Sequence, residues 1–224
     1  MSLCVLAVPA QSNYNFAFPV NLAVPAGDAN GLALNENLTG INGIINSLTV
    51  SLDISSGYNG DLYAYLRGPN GGFAVLLNRV GATSGDAFGY SDTGFNVTFD
   101  DSAAGNIHHY QDFVYDLNGS GQLTGTWQPD GRAIDPQSSP SQFDSTSPTA
   151  LLNSFSGTVP NGTWTLFLAD LSSGAQSTVI NWSVNIDTVP EPGTLSLFTL
   201  CGCLVAWLAT LLRAATRSQR AFIA

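Results

Sequence analysis

The sequence predicts an all-β protein, a jelly-roll β-sandwich followed by one C-terminal transmembrane helix. Three observations support this prediction: runs of alternating apolar and polar residues, frequent turn dipeptides, and an uncharged stretch near the C-terminus. Alternation with period two is typical of antiparallel strands that bury one face. Asn-Gly, which suits type I′ hairpin turns, begins at positions 42, 59, 70, 118 and 161. Closely spaced turns of this kind favour a sandwich over a helical fold.

The apolar runs between residues 44 and 186 are the predicted strands. In chain order they are Ile44–Ile54, Leu62–Leu66, Phe73–Leu77, Phe95–Phe99, Thr163–Leu168 and Thr178–Ile186. In the first run, the alternate residues from Leu48 to Ile54 share one face. Trp164 and Trp182 begin the same pattern in the last two runs, and we expect them to anchor the core. Residues 126–149 contain four prolines and little periodicity, which predicts a long surface loop.

The body of the chain is acidic, and the chain contains no lysine. Residues 1–189 carry three arginines against fourteen aspartates and one glutamate, a net charge of −12. A surface without basic clusters cannot neutralise phosphates, so we expect no nucleic-acid partner. The three cysteines, Cys4, Cys201 and Cys203, lie near the two ends of the chain. No disulfide framework can therefore hold the body together.

Residues 1–10, MSLCVLAVPA, resemble the end of a secretory signal, with small residues before Gln11. The positive charge and longer apolar region with which such a signal begins are missing. Two interpretations stay open, a start assigned too far downstream or a buried first strand. We favour a signal remnant because the C-terminal segment predicts export. Residues 11–187 are then the folded domain.

The body offers few residues suited to catalysis. The only histidines, His108 and His109, are adjacent, and on a strand their side chains would point to opposite faces. No Gly-x-Ser-x-Gly motif is present. We therefore expect the chain not to be an enzyme, and we expect the paired histidines to lie in a surface loop.

Two blocks of the body resemble the P domain (P/Homo B), the β-sandwich that follows the catalytic domain in proprotein convertases. The first block, Leu48–Leu77, contains the Gly-Asp-Leu turn at residues 60–62 and then Pro69 with a glycine pair. The second block is Asn161–Ile186, and its matching residues are Gly162, Trp164, Leu166, Asp170, Trp182 and Ser183. The resemblance implies a galactose-binding-like jelly roll of the kind that accompanies serine endopeptidases.

Calcium is the one cofactor that the sequence suggests. Several P domains are associated with calcium, and carboxylate oxygens are suitable ligands for it. The candidate ligands are Asp61, Asp100, Asp101 and Asp170. Single aspartates also cap turns, so both interpretations stay open. Asp116–Thr124 matches an EF-hand loop in part, but Trp127 stands where the final glutamate belongs, and a glycine-rich hairpin turn explains this stretch better.

Residues 188–224 differ in character from the body. Residues 195–212 are uncharged and would extend about 27 Å as a helix, enough to span a hydrocarbon core. The arginines beyond this span, Arg213, Arg217 and Arg220, would lie on the cytoplasmic side. Pro190, Glu191 and Pro192 precede the span, and the two prolines keep the connection extended.

The order of these features resembles the PEP-CTERM sorting signal of Gram-negative bacteria. The resemblance implies transient anchoring in the inner membrane, processing by an exosortase, and release to the cell surface or extracellular matrix. A permanent single-pass anchor is the alternative interpretation.

Three functions follow from the sequence. The first is an exported, non-catalytic surface or matrix protein, whose exopolysaccharide or protein partner the sequence does not name. The second is an accessory P domain of a subtilisin-like serine endopeptidase. The third is a glycan-binding module that uses exposed aromatic residues such as Tyr58, Tyr63 and Trp127.

Overall fold

A computed structural model describes residues 11–191, which form two β-sheets packed face to face. Within this range the strands are β1 (Ser12–Ala23), β2 (Asp28–Leu38), β3 (Ile44–Ser55), β4 (Leu62–Arg67), β5 (Phe73–Asn78), β6 (Phe95–Phe99), β7 (Leu123–Trp127), β8 (Gly162–Asp170) and β9 (Thr178–Val189). The helical segments are 3₁₀ turns at Asn59–Asp61, Ile107–Asp112 and Leu152–Phe155, and one α-helix, α1, at Pro140–Ser145. The predicted two-sheet β-sandwich is confirmed.

The first sheet has the strand order β1-β9-β3-β6-β7, and the second has the order β2-β8-β4-β5. β9 lies between β1 and β3, and β8 lies between β2 and β4, so these two strands are central. β6 and β7 pair in parallel, with Phe95 opposite Leu123 and Phe99 opposite Trp127. The expectation of antiparallel pairing was wrong here. Residues 100–122 carry the chain back to the end of the sheet where β6 began, so β7 runs in the same direction.

Three strands, β1, β2 and β7, lie where the sequence predicted none. β1 pairs with β9, and its register shifts between Pro19 and Leu22. β2 pairs with β8, and its register shifts between Asp28 and Leu32. Both strands are at sheet edges, where proline and bulges are tolerated because one side of the strand needs no partner. The shifts lie toward one end of each strand, and Tyr14, Phe16, Phe18 and Val20 of β1 still alternate with exposed residues, a pattern that the sequence prediction overlooked.

Inward-facing side chains of both sheets form the core. The alternate residues from Leu48 to Ile54 are buried, with no more than 6% of any of them exposed. Trp164 and Trp182 are fully buried. The ring of Trp164 lies 5.0 Å from that of Phe155, and the ring of Trp182 lies 4.6 Å from that of Phe18. Residues 11–191 contain no cysteine, so their stability depends on this packing.

Gly60 is required by close packing rather than by a left-handed backbone. The predicted type I′ turn at Asn59-Gly60 was wrong, because these residues form a 3₁₀ turn with Asp61. A Cβ atom at Gly60 would lie 2.2 Å from the backbone oxygen of Phe88. Gly71, by contrast, has φ +86° in the turn that joins β4 to β5, where a residue without a Cβ atom is favoured.

The segment after β7 is more than the surface loop that the sequence predicted. It contains α1, and Phe143 in that helix is 1% exposed. The amide of Asp130 donates to the backbone oxygen of Leu76 at 3.1 Å, and that of Gly131 donates to Val75 at 2.9 Å. Residues 128–150 therefore cover the outer edge of β5, which would otherwise be an unpaired sheet edge.

Replacement by phenylalanine should affect the two buried tryptophans differently. Trp164 Nε1 donates to the buried backbone oxygen of Pro160 at 2.8 Å, whereas Trp182 Nε1 has no partner. We expect Trp164→Phe to lower the free energy of unfolding by about 1 kcal/mol more than Trp182→Phe, because only the first change removes a hydrogen bond. Urea denaturation of both variants measures this difference, and equal losses would contradict it.

Candidate functional site

Two of the candidate calcium ligands meet at one end of the sandwich. Asp61 ends the 3₁₀ turn before β4, and Asp170 ends β8. The register of β4 and β8 places Leu62 opposite Asp170, which brings Asp61 and Asp170 to the same end of these two strands. The backbone oxygen of Asp61 accepts a hydrogen bond from the amide of Leu171 at 2.9 Å. Asp61 also lines a surface groove of about 360 Å³ with Ser172.

Asp170 has an unsatisfied oxygen. Its side chain is fully buried, and Oδ1 accepts a hydrogen bond from the amide of Ser172 at 3.2 Å. Its Oδ2 has no hydrogen-bond partner. Burial raises the pKa of Asp170 and the negative charge of Asp61 adds to the rise, whereas the amide of Ser172 and the amide and hydroxyl of Ser177 lower it. A buried carboxylate oxygen without a donor is costly, so this position suits a proton or a cation.

The other two candidates, Asp100 and Asp101, lie at the opposite end of the sandwich. β3 and β6 are antiparallel with Val50 opposite Phe99, so Asp100 follows at the end of β3 remote from the turn that holds Asp61. Asp100 Oδ1 accepts from the amide and hydroxyl of Ser102 at 2.8 and 2.7 Å. This is turn capping, and the four carboxylates do not come together.

Asp101 also caps backbone amides. Its two carboxylate oxygens accept from the amides of Leu152 and Asn153, at 3.0 and 2.7 Å. Across residues 11–191, no three side chains of histidine, cysteine, aspartate or glutamate converge as a metal site. Any cation beside Asp61 and Asp170 would need backbone oxygens or water for its remaining ligands.

The stretch that partly matches an EF-hand loop is a turn stabilised by Asn118. Leu117 and Leu123 form an isolated antiparallel bridge across it. Asn118 Oδ1 accepts from the amides of Ser120 and Gln122 at 2.9 and 3.1 Å. These bonds occupy the oxygen that an EF-hand loop would direct at calcium, which agrees with the hairpin-turn interpretation.

His108 is buried, so its expected place in a surface loop was wrong. It lies in the 3₁₀ turn Ile107–Asp112 and is 0% exposed. Its Nδ1 is 2.7 Å from Asp130 Oδ2, and its Nε2 is 3.0 Å from the backbone oxygen of Ala82. Because a carbonyl oxygen only accepts, Nε2 carries the hydrogen. Both ring nitrogens therefore have structural partners, and this pair anchors residues 128–150.

Arg132 extends the same buried network. Its guanidinium is 3.3 Å from Asp130 Oδ1 and donates to His109 Nε2 at 3.1 Å. Burial lowers the pKa of His109 from its ordinary value of 6.5, and His108 and Arg132 lower it further. A histidine whose folded pKa is lowered destabilises the fold when it is protonated. The free energy of unfolding therefore decreases as the pH falls from 6.5 through the lowered pKa of His109.

The three aromatic residues proposed for glycan binding do not share a face. Trp127, on β7 of the first sheet, is only 6% exposed. Tyr58 is 47% exposed and precedes the turn at Asn59–Asp61. Tyr63 lies on β4 in the second sheet, where its side chain is half-buried. A concave site built from these three residues does not form.

The sorting motif lies directly after the last strand. β9 ends at Val189, followed by Pro190 and Glu191. Pro192, the predicted span 195–212 and the predicted signal remnant 1–10 lie outside the described residues. So do the three arginines of the tail, Arg213, Arg217 and Arg220. Between residues 11 and 191, no helix is long and apolar enough to cross a membrane.

No protein-family profile matches the chain, and no curated protein matches it either. Neither the P-domain resemblance nor the PEP-CTERM resemblance is therefore shown by a family match. Two similar solved structures contain the serine protease of Aeromonas sobria. The crystal structure of that protease with its chaperone (ORF2) gives 14% identity and a TM-score of 0.47, and that of the protease gives 13% and 0.45. Each match covers 83% of this chain but only 28% of the other.

Similarity this low leaves the function to be argued from the residues of this chain. The Aeromonas matches have TM-scores below 0.5 and identities below 25%.

Loss of the Asp130 carboxylate should loosen the segment that covers β5. Asp130→Asn leaves the buried guanidinium of Arg132 without its counter-charge, and we expect a loss of about 3 kcal/mol in the free energy of unfolding. The matched control is Asp112→Asn, which removes an exposed carboxylate 4.0 Å from His109 Nδ1. We expect the control to change stability by less than about 0.5 kcal/mol. Denaturant unfolding compares the variants, and similar losses in both would contradict the anchoring role.

Proposed function

We propose that this chain is an exported, non-catalytic surface or matrix protein with a removable C-terminal anchor. The observation that carries the proposal is where the fold ends. The last strand ends at Val189, and the first compact unit of the chain ends at the same residue. Pro190 thus begins a separate unit, and a processing enzyme that cut there would remove no strand of the sandwich. The body would remain folded after release.

We propose that the sandwich is a jelly roll of the P-domain kind. The chain passes between the sheets six times, at every connection except those from β4 to β5 and from β6 to β7. Repeated crossing of this kind is typical of a jelly roll, which consists of two wound Greek keys. The two blocks that resemble the P domain also meet, since a Cβ atom at Gly162 would lie 2.7 Å from Pro69 Cβ.

The resemblance of both blocks to the P domain motivates a second candidate function, an accessory domain of a subtilisin-like serine endopeptidase. In this case the domain would bind a separate catalytic domain and stabilise it. A protease that co-purifies with this chain, and that unfolds at a lower temperature without it, would favour the accessory role.

The sorting step is proposed to follow the PEP-CTERM pattern. The span 195–212 would hold the precursor in the inner membrane of a Gram-negative bacterium. Arg213, Arg217 and Arg220 would keep the C-terminus in the cytoplasm, and the acidic body would lie outside. An exosortase-type enzyme would then act at Pro190-Glu191-Pro192 and release the body to the surface.

Calcium is proposed as a stabilising ion at Asp61 and Asp170. The supporting observation is the Oδ2 atom of Asp170, which is buried without a donor. A divalent cation would neutralise both carboxylates at the junction of β4 and β8. Backbone oxygens and water would complete its coordination.

The calcium proposal predicts a shift in melting temperature. At a calcium concentration about 100-fold above Kd, binding contributes about 2.7 kcal/mol, or roughly 5–10 °C for a domain of this size. Asp170→Asn should abolish the shift. Asp100→Asn, at the opposite end of the sandwich, should preserve it. The absence of a calcium-dependent shift in the unmodified chain would remove calcium from the account.

The proposed sorting predicts a shortened mature protein. Mass spectrometry of the protein recovered from the cell surface should find a C-terminus close to Pro190-Glu191-Pro192. Replacement of these three residues by alanine should leave the uncut chain in the inner membrane. Glu36→Gln, which changes the only other glutamate, is the control and should leave processing intact. A mature chain that still ends at Ala224 would contradict sorting.

A further inference from the structure

The outer surface of the second sheet carries a cluster of aromatic side chains. Tyr63, Tyr65, Phe73 and Phe167 are half-buried and occupy outward positions on β4, β5 and β8. They alternate with buried residues such as Leu166, which point into the core. We call this four-residue surface the aromatic face.

The rings of the aromatic face contact one another in a continuous array. Tyr65 and Phe167 lie opposite each other on β4 and β8. Their rings stack, with centroids 4.9 Å apart and an interplanar angle of 16°. Phe73 lies 5.2 Å from Tyr65, and Tyr63 lies 6.3 Å from Phe167. Contacts between neighbouring aromatic rings are stabilising beyond the area that they bury, which favours this arrangement of the surface.

Small residues leave one side of this array open. On the edge strand β2, Ala33 lies opposite Phe167 and is exposed. Gly31 is also beside Phe167, since a Cβ atom at Gly31 would lie 2.9 Å from the tip of the ring. No long side chain of β2 therefore covers Phe167 from this side.

Polar groups border the aromatic face along the next row of the sheet. Asn35, Thr165, Arg67 and Phe73 are aligned across the four strands. The Thr165 hydroxyl donates to Asn35 Oδ1 at 2.7 Å, which leaves the Asn35 amide hydrogens available. Arg67 is exposed and brings five N–H donors to the border of the cluster.

Arg67 differs from the other two arginines among residues 11–191. Arg79 donates to the backbone oxygen of Ala87 at 2.6 Å. Arg132 is buried in the network with Asp130. Arg67 is therefore the exposed guanidinium that can bind a ligand beside the aromatic rings.

The outward positions of the first sheet have a different character. Their central row holds Ser51, Ser183 and Thr98, aligned across β3, β9 and β6. Asn185 and Thr49 are paired in the next row. These residues are short and polar, so a row of outward-facing aromatic residues on the strands themselves distinguishes the second sheet from the first.

The chemistry of the aromatic face matches an uncharged sugar chain. Pyranose rings have apolar C–H faces that pack on aromatic surfaces, and they have hydroxyls that accept from guanidinium and amide groups. Residues 11–191 carry sixteen acidic side chains against three arginines, and a field of this sign repels polyanions such as nucleic acids and polyuronates. A few polar groups beside an apolar surface are typical of ligand sites.

We propose that the aromatic face binds a neutral polysaccharide. A pyranose ring packs on the side of Phe167 that faces Ala33 and Gly31, and Arg67 and Asn35 donate hydrogen bonds to its hydroxyls. The proposal does not depend on the sorting of the C-terminal segment. Tyr63 remains a candidate for glycan contact, whereas Tyr58 and Trp127 lie outside the aromatic face and do not.

Affinity electrophoresis of the purified full-length chain tests the proposal. Native gels contain hydroxyethylcellulose, galactomannan or, as a polyanionic comparison, alginate. At least one of the two neutral polymers should retard the chain, whereas alginate should not. Phe167→Ala should weaken binding by at least about tenfold, and Arg67→Ala should weaken it by a smaller factor. Phe88→Ala is the matched control, because Phe88 is 78% exposed and lies outside the aromatic face.

A second variant separates loss of binding from loss of folding. Ala33→Glu adds a charged side chain beside Phe167 on an exposed edge strand and removes no packed atom. It should retain the melting temperature of the unmodified chain and lose retardation. The proposal is overturned if neither neutral polymer retards the chain or if only alginate does. It is also overturned if Phe167→Ala and Ala33→Glu bind as tightly as the unmodified chain.

Discussion

Packing of the two sheets against each other is the constraint on which the structure depends. Residues 11–191 contain no cysteine, so no covalent link joins the sheets. Trp182 on β9 and Trp164 on β8 are fully buried and lie on the central strands of their sheets. Each places its indole ring in the core, on a strand that is hydrogen-bonded to a neighbour on both sides. Hydrophobic burial in these two strands holds the edge strands in place through the hydrogen-bond ladders.

A rigid sandwich of this kind leaves its two outer surfaces free to differ. The first sheet presents short polar residues such as Ser183 and Ser51, which stay hydrated and offer little apolar area. The second sheet presents the aromatic face, with Tyr65 stacked on Phe167. Alternate residues of β8 point into the core and out to the surface. The packing that holds Trp164 in the core therefore also directs Phe167 outward. Binding and stability therefore depend on the same strands but on opposite faces.

Alternation along single strands could be predicted from the sequence, and contacts between strands could not. The buried face of β3 was predicted, since Leu48 to Ile54 alternate without interruption. β1 was missed although Tyr14, Phe16, Phe18 and Val20 alternate with exposed residues. β2 and β7 were missed because their apolar runs are short and are interrupted by glycine. The burial of His108 was missed because its partner Asp130 is 22 residues away, although the apolar neighbour Ile107 was an available signal.

The four candidate calcium ligands could not be grouped correctly from the sequence, because contacts between strands decide which of them meet. Asp61 and Asp170 meet because β4 pairs with β8, whereas Asp100 follows β6 at the other end. The aromatic face also depends on register, which sets Tyr65 opposite Phe167.

Native-state hydrogen exchange tests most directly whether residues 128–150 and the sandwich are one cooperative unit. We expect the amide of Gly131, which donates to the backbone oxygen of Val75, to exchange with a free energy within about 1 kcal/mol of that of the amides in β8 and β9. Exchange of Gly131 through a local opening several kcal/mol less costly would contradict it.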